Sequence, residues 1–251
     1  MIPSAVGEDL EYKTRDHAAR AKDKYAWAKY EMTARWLNDY ARPGMTLFNV
    51  GCGSGEFNHI AVAAGMKVVA CEPEPVAFGI ALRNQPATGC EIRNCGLLDL
   101  AGTEPADIVV MHDVLEHLAD DAAAARCLHS LLKPGGRLVI SVPALQVLFG
   151  HHDVQLGHYR RYTKASLLRV LRPQFVVRRL RYFGLSFIPI TLWFSKWRKR
   201  PYPVETSSAG IVGRLVSLLC AIEGRIPLPL GTSLVAELEP RRPGVDRKAE
   251  P

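Results

Sequence analysis

Asn49-Val50-Gly51-Cys52-Gly53-Ser54-Gly55 is the stretch that decides the fold. Thr46-Leu47-Phe48 before it is apolar and suited to a strand, and Glu56-Phe57-Asn58-His59-Ile60-Ala61 after it has the spacing of a helix. Glycines at alternate positions let the backbone turn sharply and leave no side chain to keep a ligand from the helix N-terminus. A nucleotide-like ligand at the carboxyl end of a sheet strand is the expected occupant. The spacing Gly51-x-Gly53-x-Gly55 differs from the G-x-G-x-x-G of dinucleotide sites, which argues against nicotinamide and flavin chemistry. Glu72 ends the next apolar run, Lys67-Val68-Val69-Ala70-Cys71-Glu72, where a carboxylate can accept the hydroxyl protons of a ribose.

Outward from this loop, short runs rich in branched residues (TLFNV, KVVACE, CEIRN, DIVVMHD, GRLVISVPA) alternate with helix-like stretches (EFNHIAVAAG, PVAFGIALRN, DDAAAARCLHSLL). Strand alternating with helix predicts an α/β fold, a doubly wound parallel sheet with helices on both faces. Upstream, Glu8 to Tyr40 carries aromatics at three-and-four spacing and reads as an amphipathic helix ended by Pro43 and Gly44. Downstream of Pro143 the pattern loosens into FGHHDVQLGHYRRY. A helix is then expected over Thr163 to Leu171 and a strand over Phe175 to Phe183. An excursion from Gly184 to Pro227 contains the apolar helix candidate Ile211 to Ile222, and TSLVAELEP reads as the last strand. We expect one domain: a helical cap over 1–43, a ligand-binding core over 44–145, a lid, substrate side and last strands over 146–240, and a flexible tail over 241–251.

The chain has 251 residues, 48 % hydrophobic and 23 % charged, enough to bury a core without crosslinks. Its net charge is +7, yet Val154 to Val204 holds twelve cations and no acid, so subtracting those twelve leaves the remainder at −5. An anionic partner should therefore meet that basic third. The six cysteines form no CxxC pair, and the N-terminus lacks the basic and apolar regions of a signal peptide; a reducing cytoplasm is the expected location. Phe183 to Trp197 is too short, and too interrupted by Pro189 and Lys196, to cross a bilayer, although it can lie on one.

FNVGCGSGEF, VVACEPEP, RNCGLLDL, DIVVMHDVLEHL and LLKPGGRLVISVP occur in that order between Met45 and Pro143, and on them the chain resembles the class I S-adenosylmethionine-dependent methyltransferases. DVLEHL followed by LKPGGRL is most similar to small-molecule members such as the ubiquinone-pathway O-methyltransferases. HHDVQLGHYRRYTKASL is similar to a signature of a broad bacterial subgroup. The resemblance implies a Rossmann-like seven-stranded sheet whose last strand is antiparallel, with an N-terminal helical cap and a helical insertion before that strand. It implies S-adenosylmethionine over Asn49, Gly51, Cys52, Gly53 and Gly55, its ribose on Glu72 beside Pro73, and its methionine end at Met111 and His112. Two departures stand out: Asn49 where the family usually has an acid near the cofactor's amino group, and Gly96 where it often has Asp. Adenine recognition is thereby left to the backbone of Gly96 and Leu97, or to Asp99.

Methyl transfer is an in-line displacement, so the protein must align the reactants and, for a hydroxyl acceptor, remove a proton. His112 and Asp113, at the end of the fourth strand, are candidates for that role. Asp113, Glu116 and His117 at i, i+3 and i+4 would share one helix face, a spacing a divalent metal could use. Relatives also carry Leu-Glu-His as packing and capping, and no metal is favoured. His151, His152 and His158, in the loop after the fifth strand, are candidate bases because imidazole titrates near neutral pH. Tyr159 and Arg160, with Tyr12 and Tyr25 from the N-terminal helix, are candidates for positioning the acceptor. The competing reading of these clusters is a structural lid and ordinary core packing.

The expected acceptor is a small metabolite, hydrophobic or lipid-linked, methylated on oxygen, with peripheral contact to an anionic membrane and a monomeric or homodimeric state. The alternatives are an RNA methyltransferase, an intramolecular cyclase using the same cofactor, and a non-enzymatic scaffold. Against nucleic acid, the chain has neither an Asn-Pro-Pro-Tyr nor a Pro-Cys catalytic pair.

Overall fold

Successive residues of β1 (Thr46–Val50) face opposite sides of the sheet: Leu47 enters one buried cluster, Phe48 and Val50 the other. The computed structural model describes residues 23–194 and 210–242. Tyr12, the first part of the expected cap helix, Lys196, Trp197 and most of the tail lie outside the described residues.

The further strands are β2 (Lys67–Cys71), β3 (Cys90–Arg93), β4 (Ala106–His112), β5 (Leu132–Pro143), β6 (Phe175–Phe183) and β7 (Ser233–Pro240). They form a seven-stranded sheet in the order β3-β2-β1-β4-β5-β7-β6. The strands from β1 to β5 pair in parallel, and β7 lies between β5 and β6, antiparallel to both. The chain leaves β1 toward β2 and β3, then crosses back to β4 on the other side of β1, which opens a crevice at the carboxyl ends of these two strands.

The helices are α1 (Lys24–Leu37), α2 (Glu56–Ala63), α3 (Pro75–Arg83), α4 (Asp121–Ser130), α5 (His151–Leu156), α6 (Lys164–Leu171), α7 (Ile188–Leu192) and α8 (Ile211–Glu223). Met32 and Trp36 of α1, Phe57 and Ala61 of α2, Ala81 of α3 and Cys220 of α8 cover one face of the sheet. Ala124 and Leu128 of α4 with Leu167 and Leu171 of α6 cover the other. Four of the helix starts have a side-chain cap. Asp23, Glu74, Asp120 and Thr163 accept backbone N–H bonds at the heads of α1, α3, α4 and α6, and Pro75 opens α3 where its missing N–H costs nothing.

Two expectations are corrected. The loosened stretch after Pro143 contains α5, bracketed by Gly150 and Gly157, with Asp153 accepting from the Gly150 amide at 2.9 Å. Asp113, Glu116 and His117 share no helix face: Asp113 takes a left-handed backbone, φ 54°, as β4 ends, and Leu115–His117 forms only a 3-10 turn. The run from Phe183 is broken within its described residues, as its interruptions predict: Phe183 is buried at the end of β6, Gly184 turns with φ 86°, and α7 has five residues. Among the described residues no helix is long and apolar enough to cross a membrane.

Candidate cofactor and acceptor site

The glycine loop leaves β1 at the crevice. Gly51, Gly53 and Gly55 have φ of 66°, 56° and 90°, a region that side chains disfavour, and a Cβ at Gly51 would collide with the Val114 side chain across the crevice. The turn is tied down by the Cys52 amide donating to the Cys71 carbonyl at 2.9 Å. Glu72 reaches back from the end of β2. Its Oε2 accepts from the Gly53 amide at 2.8 Å and its Oε1 from the Glu74 amide at 3.0 Å, while Asn94 donates to its backbone carbonyl at 2.8 Å. Loop and carboxylate thus meet at hydrogen-bond distance, and Pro73 lies exposed at the rim.

Asn49 is buried and donates to Asn58 at 2.8 Å, so its amide braces the base of the loop. The Gly96 amide donates to the Asp99 carboxylate at 2.8 Å, which uses Asp99 in capping its own turn, and Leu97 is buried in the core. Glu56, absent from the sequence reading, opens α2. It is 7 % exposed, and its carboxylate oxygens accept no hydrogen bond among the described residues.

At the end of β4, Met111 packs into the core and His112 points to the other side, under α1. Its Nε2 lies 2.9 Å from Thr33 Oγ1, and its ring meets Tyr30 and Phe57 edge-on. Burial pushes the His112 imidazole down to about 3, so it is neutral at physiological pH and a weak base. Asp113 pairs with the buried Lys29 of α1, and its Oδ1 accepts from Ser141 at 2.9 Å. Lys29 and Thr33 sit one turn apart on the otherwise apolar face of α1, and a lysine in that stripe was the available sign of a functional partner.

The loop after β5 brings distant residues together. Asp153 is fully buried; its Oδ1 lies 2.8 Å from His158 Nδ1 and accepts from Arg161 Nε at 2.8 Å. Burial alone would raise the Asp153 carboxyl, but the bonds from His158 and Arg161 hold it down at about 2. The other nitrogen of His158 faces Glu116 Oε1 at 4.0 Å, and its ring stands edge-on to His117 with centroids 4.6 Å apart. Glu116, His117 and His158 bring ligand-type atoms within 4.8 Å of one another, so the group that could hold a metal contains His158 rather than Asp113.

His151 and His152 sit half-buried in the first turn of α5. Tyr159 is exposed, with Arg160 over its ring, and Arg160 is held by Asp121 and the Ala119 carbonyl, each at 2.8 Å. Tyr25 lies elsewhere. Its hydroxyl lies 2.7 Å from Thr232 and 2.9 Å from Ser233, between Phe183 and Phe187, so it anchors α1 to the start of β7.

A family model described as a methyltransferase domain matches residues 20–188. The chain belongs to this methyltransferase domain family. An uncharacterized methyltransferase of Mycobacterium leprae is 31 % identical over 153 residues, 59 % of this chain and 55 % of the relative. The ubiquinone biosynthesis O-methyltransferase of Azotobacter vinelandii is 29 % identical over 115 residues, 44 % of this chain and 50 % of that protein. The chain spans about half the length of these curated relatives. Among solved structures, the N-methyltransferase NodS from Bradyrhizobium japonicum, in complex with S-adenosyl-L-homocysteine, shares the fold with a TM-score of 0.57 at 15 % identity, over 87 % of this chain and 88 % of that one.

The cofactor of this methyltransferase class is S-adenosylmethionine, and the residues present fit it. The left-handed glycines clear the helix N-terminus, the Glu72 carboxylate stands beside them, and the buried Glu56 carboxylate adjoins the loop.

Proposed function

We propose that the protein transfers the methyl group of S-adenosylmethionine to an oxygen of a small, hydrophobic or lipid-linked metabolite. The observation that carries this reading is the Asp153–His158 pair, placed by the loop after β5 beside Glu116 at the carboxyl side of the sheet. When bound, the cofactor supplies an electrophilic methyl group.

The chain's own residues do the rest. Glu72 receives the ribose hydroxyls and the glycine loop carries the nucleoside. Glu56 provides the carboxylate for the amino group that Asn49, an amide, lacks. With Asp153 accepting from Nδ1, His158 keeps Nε2 as its basic nitrogen and takes the acceptor's proton. His112, neutral and aligned by Thr33, offers a hydrogen bond without a charge, and Asp113 pairs with Lys29, clamping the cap helix over the site. Tyr159 and Arg160 stand at the mouth, where they orient the acceptor. The apolar surface of the last third suits a greasy substrate better than a polyanion.

The test incubates the protein with S-adenosylmethionine tritiated in its methyl group and a membrane lipid extract. Label is expected in an organic-soluble product, in a linkage stable to alkali as an ether is, and it should fall at least about hundredfold with His158→Gln. Label confined to the aqueous phase, or undiminished in the variant, would overturn the acceptor or the base respectively.

A further inference from the structure

Ten of the fifteen large apolar side chains exposed among the described residues fall within 185–193 and 211–230. α8 is the centre of this concentration. Val216 and Cys220 turn toward the core, while Ile211, Leu215, Leu218 and Ile222, at i, i+4, i+7 and i+11, form a ridge facing outward; Ile211 is 85 % exposed. A helix apolar on both sides is ordinarily covered on both sides.

The ridge has a definite charge. Arg214 and Arg225 are exposed, and the single acid between 211 and 230, Glu223, is buried. Its carboxylate accepts from the amides of Gly184, Leu185 and Ser186, each at 2.9 Å. That cap fastens α8 to the segment carrying Leu185, Ile190, Leu192 and Trp193, which is itself free of charge. The two apolar stretches are therefore joined, and within their described residues the exposed charges are arginines, with no exposed acid.

We infer that this surface seats the protein on an anionic lipid bilayer. Apolar side chains on one side of a helix, with arginines at its border, are what an interfacial helix uses to enter the headgroup region while its cations meet lipid phosphates. At 13 residues α8 is about 20 Å long, too short to span a bilayer, so it lies along the surface. A second copy of the chain fits worse, since two such faces would set arginine against arginine. The inference rests on the proposed hydrophobic acceptor for its purpose and on the ridge itself for its existence.

The test is co-sedimentation of the full chain with vesicles of phosphatidylcholine alone or mixed with phosphatidylglycerol, for the wild type and a Leu215→Ser, Leu218→Ser variant. We expect binding to the mixed vesicles, weakening as salt rises, and at least about tenfold weaker partitioning of the variant at an unchanged melting temperature. No binding at low salt, equal binding of both proteins, or wild-type dimers that the variant dissolves would overturn it. Calorimetry with S-adenosylmethionine on the same samples separates the two readings, because the variant's cofactor affinity should match the wild type whatever the vesicles show.

Discussion

The two sides of this sheet solve different problems. At the ends of β1 and β2 the site is built largely from backbone: three left-handed glycines, an amide held by Glu72, and a carbonyl held by Asn94. Past β5 it is built from side chains that meet across sequence gaps: Asp153 with His158 and Arg161, Glu116 with His158. Backbone geometry demands particular residues at fixed spacing and leaves a readable trace. Side-chain constellations can be assembled from many spacings and leave little.

The charge follows the same division. The excess of cations lies in the basic stretch from Val154 to Val204, where Arg160 pairs with Asp121 and Arg179 with Asp39, and the adjoining α8 turns Arg214, Arg225 and its apolar ridge outward. The net charge of +7 thus arises in the stretch that follows β5.

The strongest way to break the comparison is Gly51→Val. The left-handed φ and the collision with Val114 should together remove S-adenosylmethionine binding, more than about hundredfold, and lower the melting temperature. Unchanged affinity would mean that the loop is not the backbone cradle described. The matching perturbation on the other side is Asp153→Ala, which leaves the buried guanidinium of Arg161 uncompensated and should cost roughly 3 kcal/mol by thermal or denaturant unfolding. Cofactor affinity should stay near wild type.

Acid sharpens the contrast between sides. His112 binds its proton only near pH 3 in the folded chain, against an ordinary 6.5, so stability should fall as pH drops below 6.5, because the unfolded chain takes up a proton that the native state refuses. Asp153 is held near 2 against 3.8, so its contribution is present above pH 3.8 and is lost as pH falls toward 2. Melting curves should show a decline of up to about 1.4 kcal/mol per pH unit below pH 6.5, and His112→Phe should flatten the part above pH 4. A flat profile in the wild type would place His112 in a solvated setting.

Much of this was legible in the sequence, for physical reasons. Short runs of branched apolar residues alternating with helix-like stretches made β1 to β5 and the helices between them legible, and the alternation of basic and apolar residues from Phe175 to Phe183 did the same for β6. Glu72 was legible because a carboxylate at a strand end beside a glycine loop has few other uses. α5 was missed because six residues flanked by glycines carry no period. The side chain joining Glu116 and His117 was misassigned to Asp113 because helical spacing was assumed where the chain makes a 3-10 turn. Lys29 was missed because its partner lies 84 residues away and only the packing of α1 brings them together.

The central claim, that the glycine loop and Glu72 form the S-adenosylmethionine site, is tested most directly by calorimetric titration of that cofactor into the wild type and Glu72→Gln. Single-site binding is expected in the wild type and roughly 10- to 100-fold weaker binding in the variant, as for loss of a charge-assisted hydrogen bond, with a folded chain whose melting temperature is lowered because the glutamine NH2 must face the Gly53 or the Glu74 amide. No binding heat in the wild type, or equal affinity in both, would contradict it.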